Sequence, residues 1–175
     1  MSRNKATAPR KRRGGPRPPK GSTDEWYTRW EDFRPLHEEF SFTLDACATA
    51  ESTKVPRFYS KAQNGLVQSW SGERVWCNPP YSPRNLPRWV EKCAQEAIAG
   101  AQLVVALVPS RTDVRWWHEH VEPGRIGGTL EVRFLKGRLR FGWPGLPEGH
   151  PRCSGRFPNA LIIWRAPRTA PEGGR

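Results

Sequence analysis

The sequence predicts an α/β domain whose sheet is mostly parallel and carries an antiparallel hairpin at one edge. Strand patterns alternate with helical patterns along the middle of the chain, which is typical of α/β folds. Residues 103–108 form a continuous, Val-rich apolar run, as in a central strand buried on both faces. Residues 131–135 and 138–141 alternate on either side of Lys136 and Gly137, which indicates the edge hairpin.

The first half of the domain is predicted from short patterns. Residues 31–40 have the pattern of a short helix, and residues 40–45 alternate into a strand that ends at Asp45. Residues 49–68 lack a clean period and are predicted to be loop. Residues 74–77 are the next strand.

The second half contains two predicted helices and a closing strand. Residues 86–99 place apolar side chains at helical spacing, and Gly100 ends this helix. A second helix is expected over 113–121, with residue 112 or 113 as its N-cap. Residues 160–164 form the last apolar strand.

Composition sets the domain boundaries. The chain has 175 residues, enough for one domain, but only 36% are hydrophobic and the mean hydropathy is −0.76. We therefore expect a basic disordered arm over 1–22, a folded domain over 23–166 and a disordered tail over 167–175. No apolar run approaches the roughly 18 residues of a membrane span, and no signal-peptide core follows the basic start, so a soluble intracellular protein is expected.

Charge favours a nucleic-acid partner. The formal net charge is +12, from 29 Lys and Arg against 17 Asp and Glu, and the sequence pI is about 10.3. Residues 2–20 hold eight basic residues and no acidic one. Such an arm attracts phosphates without regard to sequence. The alternative is a basic surface that only keeps the protein soluble.

The cysteines and histidines do not predict a metal site. The four cysteines are Cys47, Cys77, Cys93 and Cys153, and none belongs to a C-x-x-C pair. Buried reduced thiols are the expected state. His118 and His120 lie two residues apart, so on a helix their imidazoles point to different faces.

The motif with the most specific chemistry is Asn78-Pro79-Pro80-Tyr81, directly after a predicted strand. Two prolines fix φ and remove two N–H donors, and each extends the residue before it. The resulting rigid corner displays the Asn78 amide oxygen, the Pro79 carbonyl and an aromatic ring. Two acceptors and a ring suit a planar base that carries an exocyclic amine. The alternative is a tight turn with a packed aromatic residue.

Asp45 and Asn78 both follow predicted strands. In open α/β sheets the ligand lies beyond the carboxyl ends of the strands. If these two strands are neighbours, both side chains face one crevice.

These residues together resemble the phage-type DNA N-6-adenine methyltransferases, a compact branch of the S-adenosylmethionine-dependent amino-methyltransferases. The resemblance covers about residues 24–165. Its pieces, in chain order, are Asp24-Glu25-Trp26-Tyr27-Thr28, Leu44-Asp45-Ala46-Cys47-Ala48, Asn64-Gly65-Leu66 leading to Trp70, Val75 through Ser82, Leu107-Val108-Pro109 ahead of Trp116-Trp117, Gly137-Arg138-Leu139 with Phe141, and the strand around Leu161.

The resemblance implies transfer of a methyl group from S-adenosylmethionine to the N6 amine of adenine in double-stranded DNA. Asn78 and Pro79 would hold the amine of a flipped base, with Pro80 stiffening the corner and Tyr81 stacking on the ring. It implies no metal and no membrane partner, and places the protein in the cytoplasm of a bacterial or phage-infected cell.

The resemblance also implies a set of cofactor-binding residues. Asp45 would hold the cofactor's amino-acid end, and the small Ala46 would permit close approach. Trp26 and Thr28 would reach the cofactor from the amino-terminal side, and Asn64 would contact its adenine. The alternatives are a strand-end cap for Asp45, a core residue for Trp26 and a plain turn residue for Asn64.

Two departures from the family pattern stand out. Ala46-Cys47-Ala48 replaces the usual glycine-rich cofactor loop, and Arg29 stands where a proline often follows Trp-x-Thr. The short spacing between Asp45 and Asn78 leaves little room for further strand–helix units, so a reduced Rossmann-like methyltransferase sheet is expected.

No separate target-recognition domain is visible, so contacts with DNA are expected from loops and from basic residues such as Arg84, Arg111 and Arg138. Other substrates fit the same corner, namely adenine in RNA, cytosine N4 or a protein glutamine. A different class of function is a DNA-binding module that has this fold without catalysis.

Overall fold

The computed structural model describes Asp24, residues 26–143 and residues 157–166. The elements in chain order are β1 (Tyr27–Thr28), α1 (Trp30–Phe40), β2 (Leu44–Asp45), a 3-10 turn (Gly65–Val67), β3 (Arg74–Cys77), α2 (Leu86–Ala99), β4 (Leu103–Pro109), α3 (Arg115–His120), α4 (Glu122–Ile126), β5 (Leu130–Phe134), β6 (Phe141–Gly142) and β7 (Asn159–Arg165). The predicted basic arm and carboxy-terminal tail lie outside the described residues.

The main sheet has five strands in the order β2-β3-β4-β7-β5. Strands β2, β3 and β4 are parallel, and β7 is antiparallel to both β4 and β5. The predicted α/β class is confirmed, but the sheet is mixed, with two parallel and two antiparallel pairings. The bounds predicted for β3 and α2 are those observed.

The predicted edge hairpin is wrong. Residues 131–135 supply most of β5, but residues 138–141 do not pair with it. Instead β6 pairs with β1 in a separate two-stranded antiparallel ribbon. The antiparallel pairings of the main sheet arise because β7, the last strand, inserts between β4 and β5. The alternation of apolar and polar residues within a segment could not predict this insertion, because the insertion depends on pairing between residues that are distant in sequence.

The second predicted helix is confirmed over a shorter range. Within residues 113–121, α3 spans Arg115–His120, and it begins after Val114 instead of after a cap at 112 or 113. A further short helix, α4, was not predicted and has Pro123 in its first turn. Proline is well tolerated there because its missing N–H would have had no partner in the helix.

Burial explains why β4 occupies the centre. All seven of its residues are buried, since α2 and α3 pack on one face of the sheet and α1 packs on the other. The two faces alternate along the strand, with Val104 and Ala106 on the α2 face and Val105 and Leu107 on the α1 face.

Helix α2 follows the corner and covers one face of the sheet. Its buried residues recur at helical spacing, and it ends where Gly100 takes a φ of +118°, a left-handed conformation that favours glycine. No helix among the described residues has the length and apolar character needed to cross a membrane.

A buried ion pair ties α2 to the chain that enters β3. The Glu96 carboxylate accepts the Trp70 backbone N–H at 2.6 Å and the Lys92 ammonium at 2.6 Å. The same ammonium lies 5.5 Å from the centre of the Trp70 ring. Removing the carboxylate therefore leaves a buried donor and a shielded cation without their acceptor.

We predict that Glu96→Ala lowers the free energy of unfolding by about 3 kcal/mol, because breaking one partner of a buried pair leaves an uncompensated charge. The matched control Glu91→Ala, on an exposed position of the same helix, should change it by less than about 0.5 kcal/mol. Urea unfolding of the three proteins measures both values. Equal effects of the two substitutions would contradict the structural role of Glu96.

Candidate active site

The ends of β2 and β3 bring Asp45 and Asn78 to the same edge of the sheet. The two strands are parallel neighbours, with Asp45 beside Trp76 in the register. Asn78 follows Cys77, the last residue of β3. The condition for a shared crevice, that the two strands are neighbours, is therefore met.

The Asn78 amide is held from both sides. Its Nδ2 donates to the Trp26 carbonyl at 3.1 Å, and its Oδ1 lies 2.9 Å from the Tyr81 hydroxyl. A backbone carbonyl can only accept, so this contact requires the Nδ2 side of the amide. The contact therefore sets the direction in which Oδ1 points.

The Tyr81 side chain is partly buried, and its hydroxyl lies between the corner and β4. The hydroxyl lies 2.9 Å from the Leu107 carbonyl as well as from Asn78 Oδ1, so its one proton has two acceptors in reach. Burial raises the pKa of Tyr81 well above its usual range, which keeps the phenol protonated as a donor. The ring meets Phe141 and Phe157 edge-on, with centroids 5.9 and 5.7 Å away. Stacking of Tyr81 on a base stays a prediction.

Asp45 organises the loop after β2. Its carboxylate accepts the Lys54 backbone N–H at 3.1 Å and the Cys47 backbone N–H at 3.4 Å, and only 3% of the residue is exposed. Burial raises the pKa of Asp45 to about 6, against the opposing effect of both N–H groups and of the Lys54 ammonium. Direct contact between Asp45 and a cofactor stays a prediction.

The loop after β2 packs tightly on the 3-10 turn. A Cβ at Gly65 would lie 2.2 Å from the Ala46 carbonyl oxygen and 3.1 Å from the Trp89 ring, so only glycine fits this close approach. Asn64 precedes the turn with a φ of +53° and an exposed side chain. Ala46 is fully buried.

Trp26 and Thr28 line the amino-terminal side of the site. The Trp26 ring stacks on Phe141 and Phe157, with centroids 5.8 and 6.5 Å away. The Thr28 residue is 2% exposed, and its Oγ1 has no hydrogen-bond partner among the described residues. It lines a cavity of about 270 Å³ whose other lining residues are Glu31, Asp32, Pro35, Leu36, Trp76, Leu107, Leu135, Lys136 and Leu139.

Two site residues were missed by sequence reasoning. Lys54 is buried beside Asp45, and its ammonium lies 5.1 and 4.7 Å from the ring centres of Tyr27 and Trp30. It falls in a segment without periodicity, so no sequence signal marked it. Asp24 binds the loop after the corner. Asp24 begins the first of the sequence segments that resemble the methyltransferase family, and that resemblance could have marked it as a site residue.

The three arginines proposed for nucleic-acid contact, Arg84, Arg111 and Arg138, are exposed. The Arg111 guanidinium lies 5.8 Å from the centre of the Phe157 ring, which itself packs on Tyr81. Arg111 is therefore connected to the corner through one aromatic ring. DNA contact by any of the three stays a prediction.

The cysteines of the described chain are free thiols, with Cys77 and Cys93 buried and Cys47 partly exposed. Burial raises the pKa of Cys77 well above its usual range, so the thiol under the corner stays neutral. Within the residues that the structure covers, no group of three His, Cys, Asp or Glu side chains is placed to hold a metal ion.

The family model described as DNA N-6-adenine-methyltransferase (Dam) matches residues 16–172, which is most of the chain. The chain belongs to this family. It is 34% identical over 100 residues to the DNA N-6-adenine-methyltransferase of Haemophilus phage HP1 (strain HP1c1), a match that covers 56% of this chain and 57% of the relative. It is 30% identical over 107 residues to that of Escherichia phage T1, covering 60% and 44% respectively. The match thus spans about half the length of these relatives of the Dam family.

Asp45 should make stability depend on pH. Burial raises the pKa of Asp45 in the folded state to about 6. Its contribution to the free energy of unfolding is therefore most favourable below about pH 4 and is lost as the pH rises through about 6. Relative to Asp45→Asn, which cannot ionise, the wild type should lose about 2 kcal/mol of unfolding free energy between pH 4 and 7. Urea unfolding across this range measures the difference.

The control is Asp113→Asn, at an exposed acid, which should follow the wild-type profile. A constant difference between wild type and Asp45→Asn across the range would show that Asp45 does not titrate there.

Proposed function

We propose that this protein transfers a methyl group from S-adenosylmethionine to the N6 amine of adenine in double-stranded DNA. The supporting observation is the Asn78 amide, held at the carboxyl edge of the sheet by the Trp26 carbonyl and the Tyr81 hydroxyl. Membership of the Dam family and two phage relatives named for this activity support the same reaction.

The chemistry at the corner consists mainly of orientation. The lone pair of an aromatic amine is delocalised into its ring, so the amine is a weak nucleophile. If Asn78 Oδ1 and the Pro79 carbonyl each accept one N–H of the amine, its nitrogen becomes more tetrahedral and its lone pair is released. Prepositioned acceptors of this kind lower the barrier without a strongly basic side chain.

The fixed amide of Asn78 supports this role. An amide oxygen has two lone pairs, so Oδ1 can accept from Tyr81 and from the substrate amine together. Because the Tyr81 proton can also be donated to the Leu107 carbonyl, the full acceptor capacity of Oδ1 is available when substrate binds. The amine then loses its surplus proton to solvent after transfer.

The residues on the α1 face of the site fit a cationic methyl donor. When bound, S-adenosylmethionine supplies an electrophilic methyl group on a sulfonium. Thr28, whose Oγ1 is buried without a hydrogen-bond partner among the described residues, lines a cavity that is also lined by Glu31, Asp32 and Trp76. Glu31 is already paired with Arg29 at 2.7 Å. Asp32, the Thr28 hydroxyl and Trp76 are therefore the groups that suit an adenosyl group with attached positive charges.

The remaining cofactor residues act through the loop after β2. Each carboxylate oxygen of Asp45 accepts a hydrogen bond from a backbone N–H group, and Gly65 lets the 3-10 turn approach Ala46. We propose that these contacts shape the loop that replaces the glycine-rich one, with Asn64 at its margin, and that Trp26 reaches the cofactor from the amino-terminal side. The edge position of β2 in a five-stranded sheet agrees with a reduced Rossmann-like methyltransferase fold.

Charge supports a DNA substrate. The net charge is +12, and Arg84, Arg111 and Arg138 are exposed on the domain. Attraction to phosphates would be sequence-independent and would weaken with salt. The target adenine must leave the stack to reach the corner, which costs a few kcal/mol in duplex DNA.

We expect the wild-type protein to transfer labelled methyl groups to unmethylated duplex DNA and to yield N6-methyladenine on nucleoside analysis. Asn78→Ala should lower the single-turnover rate by about 100-fold, because one prepositioned acceptor is lost. Its affinity for S-adenosylmethionine, measured by calorimetry, should stay within about twofold of wild type, since Asn78 acts on the amine.

The control is Gln102→Ala, which removes an exposed amide before β4 and should keep the wild-type rate. Label found only in RNA, in N4-methylcytosine or in protein would replace the DNA adenine assignment. Full activity of Asn78→Ala would refute the role of the amide.

The Thr28 hydroxyl offers a second test. Because its Oγ1 lacks a hydrogen-bond partner among the described residues, Thr28→Val should hardly change the melting temperature. If the hydroxyl binds the cofactor, the same substitution should raise the Kd for S-adenosylmethionine by about tenfold, and Thr28→Ser should preserve it. An unchanged Kd in Thr28→Val would remove Thr28 from the cofactor site.

A further inference from the structure

Asp24 connects the chain just before β1 to the loop that follows the catalytic corner. Its Oδ1 accepts the Ser82 backbone N–H at 2.9 Å, and its Oδ2 accepts the Asn85 side-chain N–H at 3.0 Å. Ser82 and Asn85 belong to the loop that leads from Tyr81 into α2. One carboxylate thus joins segments that are 58 and 61 positions apart in sequence.

The position suits a carboxylate. Asn85 is the residue before α2, so Asp24 lies beside the amino-terminal end of a 14-residue helix. Negative charge is stabilised there by the helix dipole. Hydrogen bonds to an ionised acceptor are also stronger than those between neutral groups. Both effects hold residue 24 against the loop.

The same segment carries the group that orients Asn78. Trp26 lies two residues after Asp24, and its carbonyl accepts from Asn78 Nδ2 at 3.1 Å. A primary amide turned over by 180° would place Oδ1 against that carbonyl, where two acceptors face each other. The Trp26 carbonyl can impose the orientation of the amide only while its own position is held.

We propose that Asp24 is a positioning residue for the methyl transfer, holding the Trp26 carbonyl against Asn78 so that the amide oxygen faces the substrate amine. This inference rests on the proposed function. Ring stacking of Trp26 and the pairing of β1 with β6 hold the carbonyl from its other side. Without the Asp24 carboxylate, the carbonyl can shift and the amide can turn over more often. It would then present N–H groups to an amine whose own N–H groups need an acceptor, and the productive geometry would be lost.

The kinetic test compares Asp24→Ala with Glu38→Ala, which removes the same charge from an exposed position on α1. Asp24→Ala should lower the single-turnover rate on duplex DNA by about 10- to 100-fold, because a small misplacement of a reacting group has effects of this size. The KM for DNA should match that of Glu38→Ala. A raised KM with an unchanged rate would overturn the proposal, because Asp24 would then act on DNA binding.

An exchanged pair separates positioning from simple loss of stability. Asp24→Asn combined with Asn85→Asp returns one amide and one carboxylate to the contact. The double variant should recover most of the rate lost in Asp24→Asn, whereas Asn85→Asp alone places two carboxylates together and should be slow. A double variant no faster than Asp24→Asn would overturn the pairing.

A measurement without substrate keeps this inference separate from the proposed function. The Asn78 side-chain N–H signals in a nitrogen-15 NMR spectrum, assigned through their loss in Asn78→Ala, should exchange slowly with solvent in the wild type. In Asp24→Ala both these signals and the Ser82 backbone N–H should exchange at least tenfold faster. Unchanged exchange would refute the positioning role, even if the wild type transfers no methyl group to any substrate tested.

Discussion

The site depends on the burial of β4 on both faces. A strand without a solvent-facing side must have a pairing partner along each edge, and β3 and β7 fill these places. The parallel pairing of β3 with β4, and of β2 with β3, then aligns the carboxyl ends of three strands. Asn78 at the end of β3 and Asp45 at the end of β2 meet at one edge for this reason.

At this edge the polar side chains serve mainly to hold backbone in place. Asp45 binds two N–H groups of its own loop, Asp24 binds the loop after the corner, and Asn78 binds the Trp26 carbonyl. Each bond satisfies a group that folding takes out of water. These three side chains therefore hold the corner in a fixed geometry, which suits the proposed chemistry because that chemistry depends on orientation.

The secondary structure around the corner could be predicted where it follows from the sequence pattern of a short segment. Helix α2 and strand β3 were predicted with their observed bounds, because apolar spacing and the glycine stop at Gly100 are short-range signals. The pairing of β6 with β1 was not predicted, since it joins segments that lie far apart in the sequence. The roles of Asp24 and Lys54 were also missed, because their contacts join residues far apart in sequence or lie in a loop without a period.

The sequence by itself determined the Asn78-Pro79-Pro80-Tyr81 corner, the excess of positive charge and the α/β class, because proline stereochemistry, charge and apolar period are properties of short segments. The tertiary structure alone decided the insertion of β7 between β4 and β5 and the ribbon of β1 with β6. It also decided which way the Asn78 amide points. That direction is set by a carbonyl 52 positions away in the chain, and only the folded sheet brings the two together.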